Sequence, residues 1–318
     1  MRAVVARDNE PTLIDLPEPE PRPDELLIDV AATALNRADL MQVAGNYPVP
    51  PGSPETLGLE LAGTVISVGD EVSKFTLGDR VMALVGGGGY AEKAIVHEEH
   101  ALPVPATVDL TQAAAIPEAF LTAYSNMVEI GGLQAGERVL IHAGASGVGL
   151  AAIQIAKAIG ATVIVTASAG KHDICKANGA DMTIDYKTEN FVERIQATYP
   201  GVHLVVEMVG APYWDDNMRV LEKWGRLVFI GLQGGATQEV NFGTIMQKRL
   251  TISGSTLRNR TTERKSRLIA AFREWALPLF EAGDLKPNVW QVMPFDQVAE
   301  AHATMRDNRN AGKIVLRV

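Results

Sequence analysis

Apolar residues change their spacing between the first third, the middle and the tail of this chain. In the first third they form short runs: Leu26-Leu-Ile-Asp-Val30, Gly63-Thr-Val-Ile-Ser-Val68, Arg80-Val-Met-Ala-Leu-Val85 and Tyr90-Ala-Glu-Lys-Ala-Ile-Val96. Pro, Gly and Asp turns bound each run, which predicts closely spaced strands of a small barrel-like β fold. Four prolines between Pro17 and Pro23 make that stretch an extended loop. Gly86-Gly-Gly-Gly-Tyr90 leads into an alternating run rather than a helix, so it reads as a mobile hairpin loop and not as a phosphate loop.

In the middle, apolar runs alternate with helical periodicity. Arg138-Val-Leu-Ile141 predicts a strand. A helix, Leu150 to Ile159, follows and stops at Gly160, and Ala161-Thr-Val-Ile-Val-Thr166 predicts the next strand. Further strands are expected at Met182-Thr-Ile184, His203-Leu-Val-Val-Glu-Met208, Arg226-Leu-Val-Phe-Ile230 and Leu250-Thr-Ile-Ser253. Helices are expected over Lys171 to Asn178, Glu189 to Thr198 and Trp214 to Leu221. Six strands with intervening helices fit a doubly wound parallel sheet, so the chain is read as α/β. In the tail, Arg264 to Glu281 and Phe295 to Met305 predict amphipathic helices and Lys313-Ile-Val-Leu-Arg317 a closing strand. This tail is expected to pack back on the N-terminal β region, giving a discontinuous domain around a continuous one.

Between the first two strands of the middle region lies His142-Ala-Gly-Ala-Ser-Gly-Val-Gly149. Strand, glycine turn, helix, strand is the Rossmann unit that holds a dinucleotide pyrophosphate. Its glycines let the backbone approach the phosphates, and the helix N-terminus offers free N–H groups. NAD-specific units place an acid at the end of the second strand for the ribose 2′-hydroxyl. Here Ala167-Ser168 stands there, and Lys171 follows as a partner for a 2′-phosphate, or as a solvated residue opening a helix. Gly210 and Gly231 follow apolar strands, either beside the cofactor or as ordinary βα turns.

A net charge of −9 argues against a broad nucleic-acid or anionic-membrane surface. The single cysteine, Cys175, excludes an intrachain disulfide and a Cys-x-x-Cys zinc lobe. No signal-peptide core and no transmembrane-length run is read, so a cytoplasmic protein is expected. The six histidines show no ligand spacing and read as surface or hydrogen-bonded residues.

Four segments in order, Asn36-Arg-Ala-Asp39, Gly58-Leu-Glu-Leu-Ala-Gly-Thr-Val65, the glycine turn and Asn310-Ala-Gly-Lys-Ile-Val-Leu316, resemble the zinc-free quinone oxidoreductase (zeta-crystallin-like) branch of the medium-chain dehydrogenase/reductase superfamily. Ser255-Thr-Leu-Arg258 and Gly283-Asp-Leu-Lys-Pro287 are most similar to its p53-inducible type. The resemblance implies a GroES-like catalytic domain over 1–118 and 258–318 and a Rossmann NADPH-binding domain over 119–257. It implies a small-molecule quinone or enone substrate and a homodimer joined through the Rossmann edge strand. By the same likeness Ala143, Gly144, Ser146, Gly147, Val148, Gly149, Gly210, Gly231 and Leu232 contact the cofactor. Ser168, Lys171, Tyr186 and Arg309 surround its 2′-phosphate. Tyr186 equally suits a packing role. Asn36, Asp39 and Tyr47 match pocket-lining positions, with capping of a helix near Arg37 as the plainer reading of Asn36 and Asp39.

The departures from the pattern carry chemistry. Zinc members have His where Leu59 stands and a cysteine ligand where Asn36 stands. Without a Lewis acid, hydride transfer needs an acceptor that is already electrophilic. A quinone yields a phenolic anion with a pKa of about 10, which needs little help. An enone reductase on the same scaffold, or a non-catalytic NADPH-binding protein of sensor or crystallin kind, are the alternatives.

Overall fold

The computed structural model describes residues 1–318, which divide into two compact units, Met1–Leu121 with Leu257–Val318, and Thr122–Thr256.

The first unit holds β1 (Arg2–Arg7), β2 (Glu10–Asp15), β3 (Glu25–Ala34), β4 (Glu60–Val68), β5 (Arg80–Leu84), β6 (Lys93–His97) and β7 (Ala101–Pro103). β1 and β2 form a hairpin closed by Asp8 and Asn9 at φ 51° and 60°, left-handed geometry that short polar side chains tolerate. β3 is the central strand. β4 and β6 pair with it antiparallel, and Ala34 stands opposite Val315 of the chain's closing strand. Two apolar clusters build the core, one around Leu26, Ile28, Leu61 and Val81, the other around Leu35, Leu57, Tyr90, Phe295 and Ile314. The tail supplies the helix Thr262–Ala282, a helical stretch from Phe295 to Arg306, and two strands described below with the sheet order.

The glycine run Gly86–Gly89 is not a mobile hairpin. Gly87, Gly88 and Gly89 are buried, and a Cβ at Gly87 would lie 2.5 Å from the Pro54 carbonyl. Gly88 donates to Thr56 O and Tyr90 N to Leu57 O, both at 2.9 Å. The glycines are there because two backbones run side by side.

The second unit is a parallel sheet of β8 (Arg138–Ile141), β9 (Thr162–Ala167), β10 (Met182–Asp185), β11 (Val202–Glu207), β12 (Leu221–Phe229) and β13 (Thr251–Gly254), in the order β10-β9-β8-β11-β12-β13. This is the doubly wound order, with the switch point between β8 and β11. The helix Gly147–Ile159 buries Leu150 to Ala156 and ends at Gly160, φ 91°, where the glycine stop was expected. A π-helical turn, Ser125–Ile130, continues the helix Pro117–Tyr124 and has no forerunner in the sequence reading. The chain's last strands, β14 (Val289–Pro294) and β15 (Lys313–Arg317), complete the first unit's sheet in the order β14-β15-β3-β4-β5-β7. No helix is long and apolar enough to cross a membrane.

Candidate active site

In the first unit, β3 lies between β4 and β15, so the residue leaving β3 meets side chains from both neighbours. That residue is Asn36, which caps the helix Arg37–Val43 from an extended backbone. Its amide does not cap. Nδ2 donates to Glu60 Oε1 at 2.9 Å and to Ala34 O at 3.3 Å, and Oδ1 accepts from Lys313 Nζ at 2.7 Å. Lys313 Nζ also donates to Leu35 O at 2.7 Å and pairs with Glu60 Oε1 at 2.6 Å. The second oxygen of Glu60 accepts the Glu118 N–H at 2.9 Å. Glu60 is fully buried and Lys313 nearly so. Every donor and acceptor of the Asn36 amide is therefore committed within the protein.

Asp39 supplies the helix's first-turn acid. Its Oδ2 accepts from the Asn36 N–H at 2.8 Å and the Tyr90 hydroxyl at 2.9 Å, while Oδ1 has no partner. Burial raises its pKa to about 6 against those two hydrogen bonds. Burial, then the Glu60 charge, raises Glu118 to about 8. Tyr47 is half-buried and pushed up to about 12 by burial first, with Glu118 adding to it. Its ring lies under the Arg258 guanidinium, 5.1 Å from Cζ to centroid. Glu60, Lys313, Glu118 and Arg258 were not singled out from the sequence as site residues. Their only signal was a charge inside or beside an otherwise apolar motif, as in Gly58-Leu-Glu60 and Asn310-Ala-Gly-Lys313.

A zinc ion needs three or four converging N, S or O donors. Here Leu59 offers hydrocarbon, the Asn36 amide is fully bonded, and the Glu60 carboxylate is closed by an ammonium group. No group of three or more His, Cys, Asp or Glu is placed to hold a metal. The residues present do not fit zinc. His302 departs from the expectation for the histidines: it is fully buried and neither ring nitrogen has a partner.

In the second unit, Ala143 turns the chain at φ 52° after β8, and Ser146 caps the helix by accepting the Gly149 N–H at 3.0 Å. A Cβ at Gly149 would stand 2.4 Å from Ala143 O, and one at Gly144 2.6 Å from Val165 Cβ. The turn is thus tight enough to require glycine, and Gly147 and Val148 open the helix half-exposed. This fits a dinucleotide pyrophosphate. Beneath it, His142 bridges Thr166 Oγ1 and Asn217 Oδ1, each at 2.9 Å. Asn217 donates in turn to Glu207, whose other oxygen accepts the Val209 N–H and, at 2.9 Å, the Gly210 N–H. That network holds the ends of β8, β9 and β11 in register.

Ala167 and Asp185 are paired across β9 and β10, so Ser168 and the half-exposed Tyr186 leave the sheet side by side. Lys171 ends the 3₁₀ turn Ala169–Lys171 just beyond. Gly210, φ 94°, is bridged to Gly235, and a Cβ on it would stand 3.1 Å from the Leu232 side chain. Gly231 donates to Glu207 O at 3.3 Å. The structure so gathers the expected cofactor residues of this unit at the carboxyl ends of its strands. Arg309 lies in the first unit, bonded to Thr304 at 3.1 Å and paired with Asp307 at 3.5 Å.

Residues 147–274 match the family described as zinc-binding dehydrogenase, and residues 22–106 match the alcohol dehydrogenase GroES-like domain. Over 316 residues the chain is 33% identical to the human synaptic vesicle membrane protein VAT-1 homolog, covering 94% of this chain and 80% of that protein. Over 307 residues it is 33% identical to human quinone oxidoreductase, covering 95% and 92%. The structure of Escherichia coli quinone oxidoreductase complexed with NADPH superposes at a TM-score of 0.90 with 29% identity, over 100% of this chain and 99% of that one.

Proposed function

This chain belongs to the quinone oxidoreductase branch of the medium-chain dehydrogenase/reductase superfamily, and from that premise we propose that it reduces quinones with NADPH and without a metal. It is an NAD(P)-dependent oxidoreductase. The finer reading is carried by one observation. At the position where zinc members gather ligands, a buried ammonium, Lys313, is locked between Asn36 and Glu60.

Bound NADPH supplies a hydride equivalent. The protein's part is to hold the acceptor, orient it and keep water away. Asp39 anchors the Asn36 backbone and Tyr90, and so fixes the turn that carries the pocket. The Asn36 amide orients Glu60 and Lys313 and is not free to donate to an acceptor. Tyr47 presents a half-buried ring and hydroxyl. Its raised pKa makes it a hydrogen-bond donor that keeps its proton at neutral pH. A pocket of this kind suits an acceptor whose reduced form is a stabilised phenolic anion. Ser168, Lys171 and Tyr186 are proposed to recognise the 2′-phosphate.

NADPH oxidation across ortho-quinones, para-quinones and enones tests the reading. Quinone turnover is expected, with chelators leaving the rate unchanged. Turnover confined to enones would instead make the protein an enone reductase. Cofactor binding with no turnover on any acceptor would make it a non-catalytic NADPH-binding protein.

A further inference from the structure

We infer that Arg258 is the acceptor-contacting cation of the catalytic unit: its guanidinium receives the oxygen on which negative charge collects as the acceptor is reduced. The inference rests on the quinone reading and names the group that stabilises its product.

Arg258 is 3% exposed. Its Nε donates to Gly86 O at 2.8 Å, but Nη1 and Nη2 are buried without a hydrogen-bond partner. A guanidinium has five N–H donors, so four stay unmet here. Burying an ion costs several kcal/mol unless it is paired and bonded, which makes an idle buried guanidinium rare in a purely structural role. Carboxylates are close at hand. Asp39 and Glu118 both lie near enough to favour its charge, yet neither bonds to it. The donors stay buried and unbonded within the protein.

The groups around these donors bear on the ligand. The Tyr47 ring lies on the guanidinium face in cation–π contact. The ring covers one face of the guanidinium, while the four Nη hydrogens at its edge stay unbonded within the protein. Tyr47 is half-buried, and the following Pro48 restricts its backbone to extended geometry, which fixes where the ring starts. The flanking Asp39 also bears on ligand class. Its negative charge at neutral pH disfavours a permanent anion such as a carboxylate or phosphate. A neutral carbonyl compound that becomes anionic only on reduction escapes that penalty. Stabilisation that appears with the charge is the kind that accelerates a reaction.

The step balances with the co-substrate already named. The acceptor takes two electrons and one proton as hydride from NADPH, which leaves as NADP⁺. The electron pair displaced from the carbonyl π system comes to rest on the oxygen facing Arg258. A proton from water then completes the hydroquinone. No bond to the protein forms or breaks.

The test uses 4-nitrophenol, whose visible absorbance reports its ionisation, bound to the whole protein and titrated with pH. With wild type, the bound dye is expected to ionise about one pH unit below the free dye, a tenfold shift. Arg258→Gln should abolish the shift and Arg258→Lys should keep part of it. Arg258→Gln should also melt no lower than wild type, because it removes an unpaired buried charge. The inference is overturned if the dye does not bind, if wild type shows no shift, or if Arg258→Gln retains it. Unfolding of Arg258→Gln with no shift in Arg258→Lys would likewise overturn it and assign Arg258 to the fold. Full quinone turnover in Arg258→Gln would overturn this inference alone. A dye shift in a wild type that reduces no quinone would overturn only the quinone reading.

Discussion

Lys313 and Glu60 form an ion pair at 2.6 Å with 4% and 0% of their side chains exposed, joining the chain's last strand to its fourth. Glu60 has both oxygens bonded, and Lys313 donates to Leu35 O, Asn36 and Glu60. Removing one partner leaves the other charge buried and alone, at a cost of roughly 3–5 kcal/mol. Lys313→Met should therefore lower the urea midpoint sharply. Adding Glu60→Gln to it should recover part of the loss, because the stranded charge is then gone. A double variant no more stable than Lys313→Met alone would contradict this account of the pair.

Cofactor choice follows from Ser168, Lys171 and Tyr186 at the ends of β9 and β10. No acid at the end of β9 repels a 2′-phosphate, and Lys171 supplies a cation there. NADPH is expected to bind at least about tenfold more tightly than NADH, about 1.4 kcal/mol. Lys171→Ala should narrow the gap. Fluorescence titrations giving equal affinities for the two cofactors in the unaltered protein would remove the basis for the prediction.

Assembly follows from β13, which pairs only with β12 and leaves its other edge unpaired. Bare strand edges invite pairing. Phe242 and Met246, on the helix just before β13, are 71% and 77% exposed. A two-fold pairing of β13 edges should give a homodimer. Mass measurement at micromolar concentration checks it, and a monomer alone would count against it.

The strand–turn–helix unit around Gly144 to Gly149 was legible because the change of apolar period, the glycines and the Gly160 stop are all local signals. The six-stranded order followed from that unit repeated. Asn36 was expected in the first unit's pocket, but the charged groups around it were not legible. Asn36, Glu60, Glu118, Arg258 and Lys313 come from five distant segments, and Lys313 reaches Asn36 across 277 residues. The pairing of β3 with β4 and β15 makes Asn36, Glu60 and Lys313 neighbours, while Glu118 comes in on a helix and Arg258 on a loop. The hairpin turn rests on a local signal as well, two adjacent short polar residues, Asp8 and Asn9, that tolerate positive φ. The Gly86–Gly89 run misled because glycine serves close backbone packing as well as mobility.

His302 sets an acid-sensitive element of stability. Its ring packs edge-on against Tyr90 with 6.0 Å between centroids. Burial first, then the Arg306 charge, lowers its pKa to about 4 from the ordinary 6.5. As pH falls below 6.5 the unfolded chain takes up a proton that the folded chain refuses. The contribution is thus whole above pH 6.5 and lost by about pH 4, amounting to roughly 3 kcal/mol. Asp39 and Glu118 act in the opposite sense, since their raised values favour the folded state while they stay protonated at lower pH. His302→Leu leaves those two in place, so the difference between variant and wild type isolates the histidine. On going from pH 7 to pH 4.5, the denaturation midpoint should fall further in wild type than in His302→Leu. Identical pH dependence in the two proteins would exclude His302 as the cause.

Asn36 and Tyr47 separate positioning from proton donation. The Asn36 amide bonds Lys313 and Glu60, so Asn36→Ala leaves buried charged groups short of partners. It should cost about 1–3 kcal/mol of stability and reduce quinone turnover several-fold. The cofactor turn lies in the other unit, so NADPH affinity should hold. Tyr47→Phe keeps the ring over Arg258 and removes only the hydroxyl. One neutral hydrogen bond is worth about 0.5–1.5 kcal/mol, again several-fold in rate. Tyr47→Ala should cost more, because it also removes the ring that packs on the guanidinium. Melting temperature, NADPH affinity and quinone turnover measured on the same variants distinguish these effects. Losing an essential general acid would cost roughly 100-fold or more. A drop above about a thousandfold in Tyr47→Phe, with fold and cofactor binding intact, would make that hydroxyl an essential proton donor and displace the low-assistance mechanism argued from this pocket.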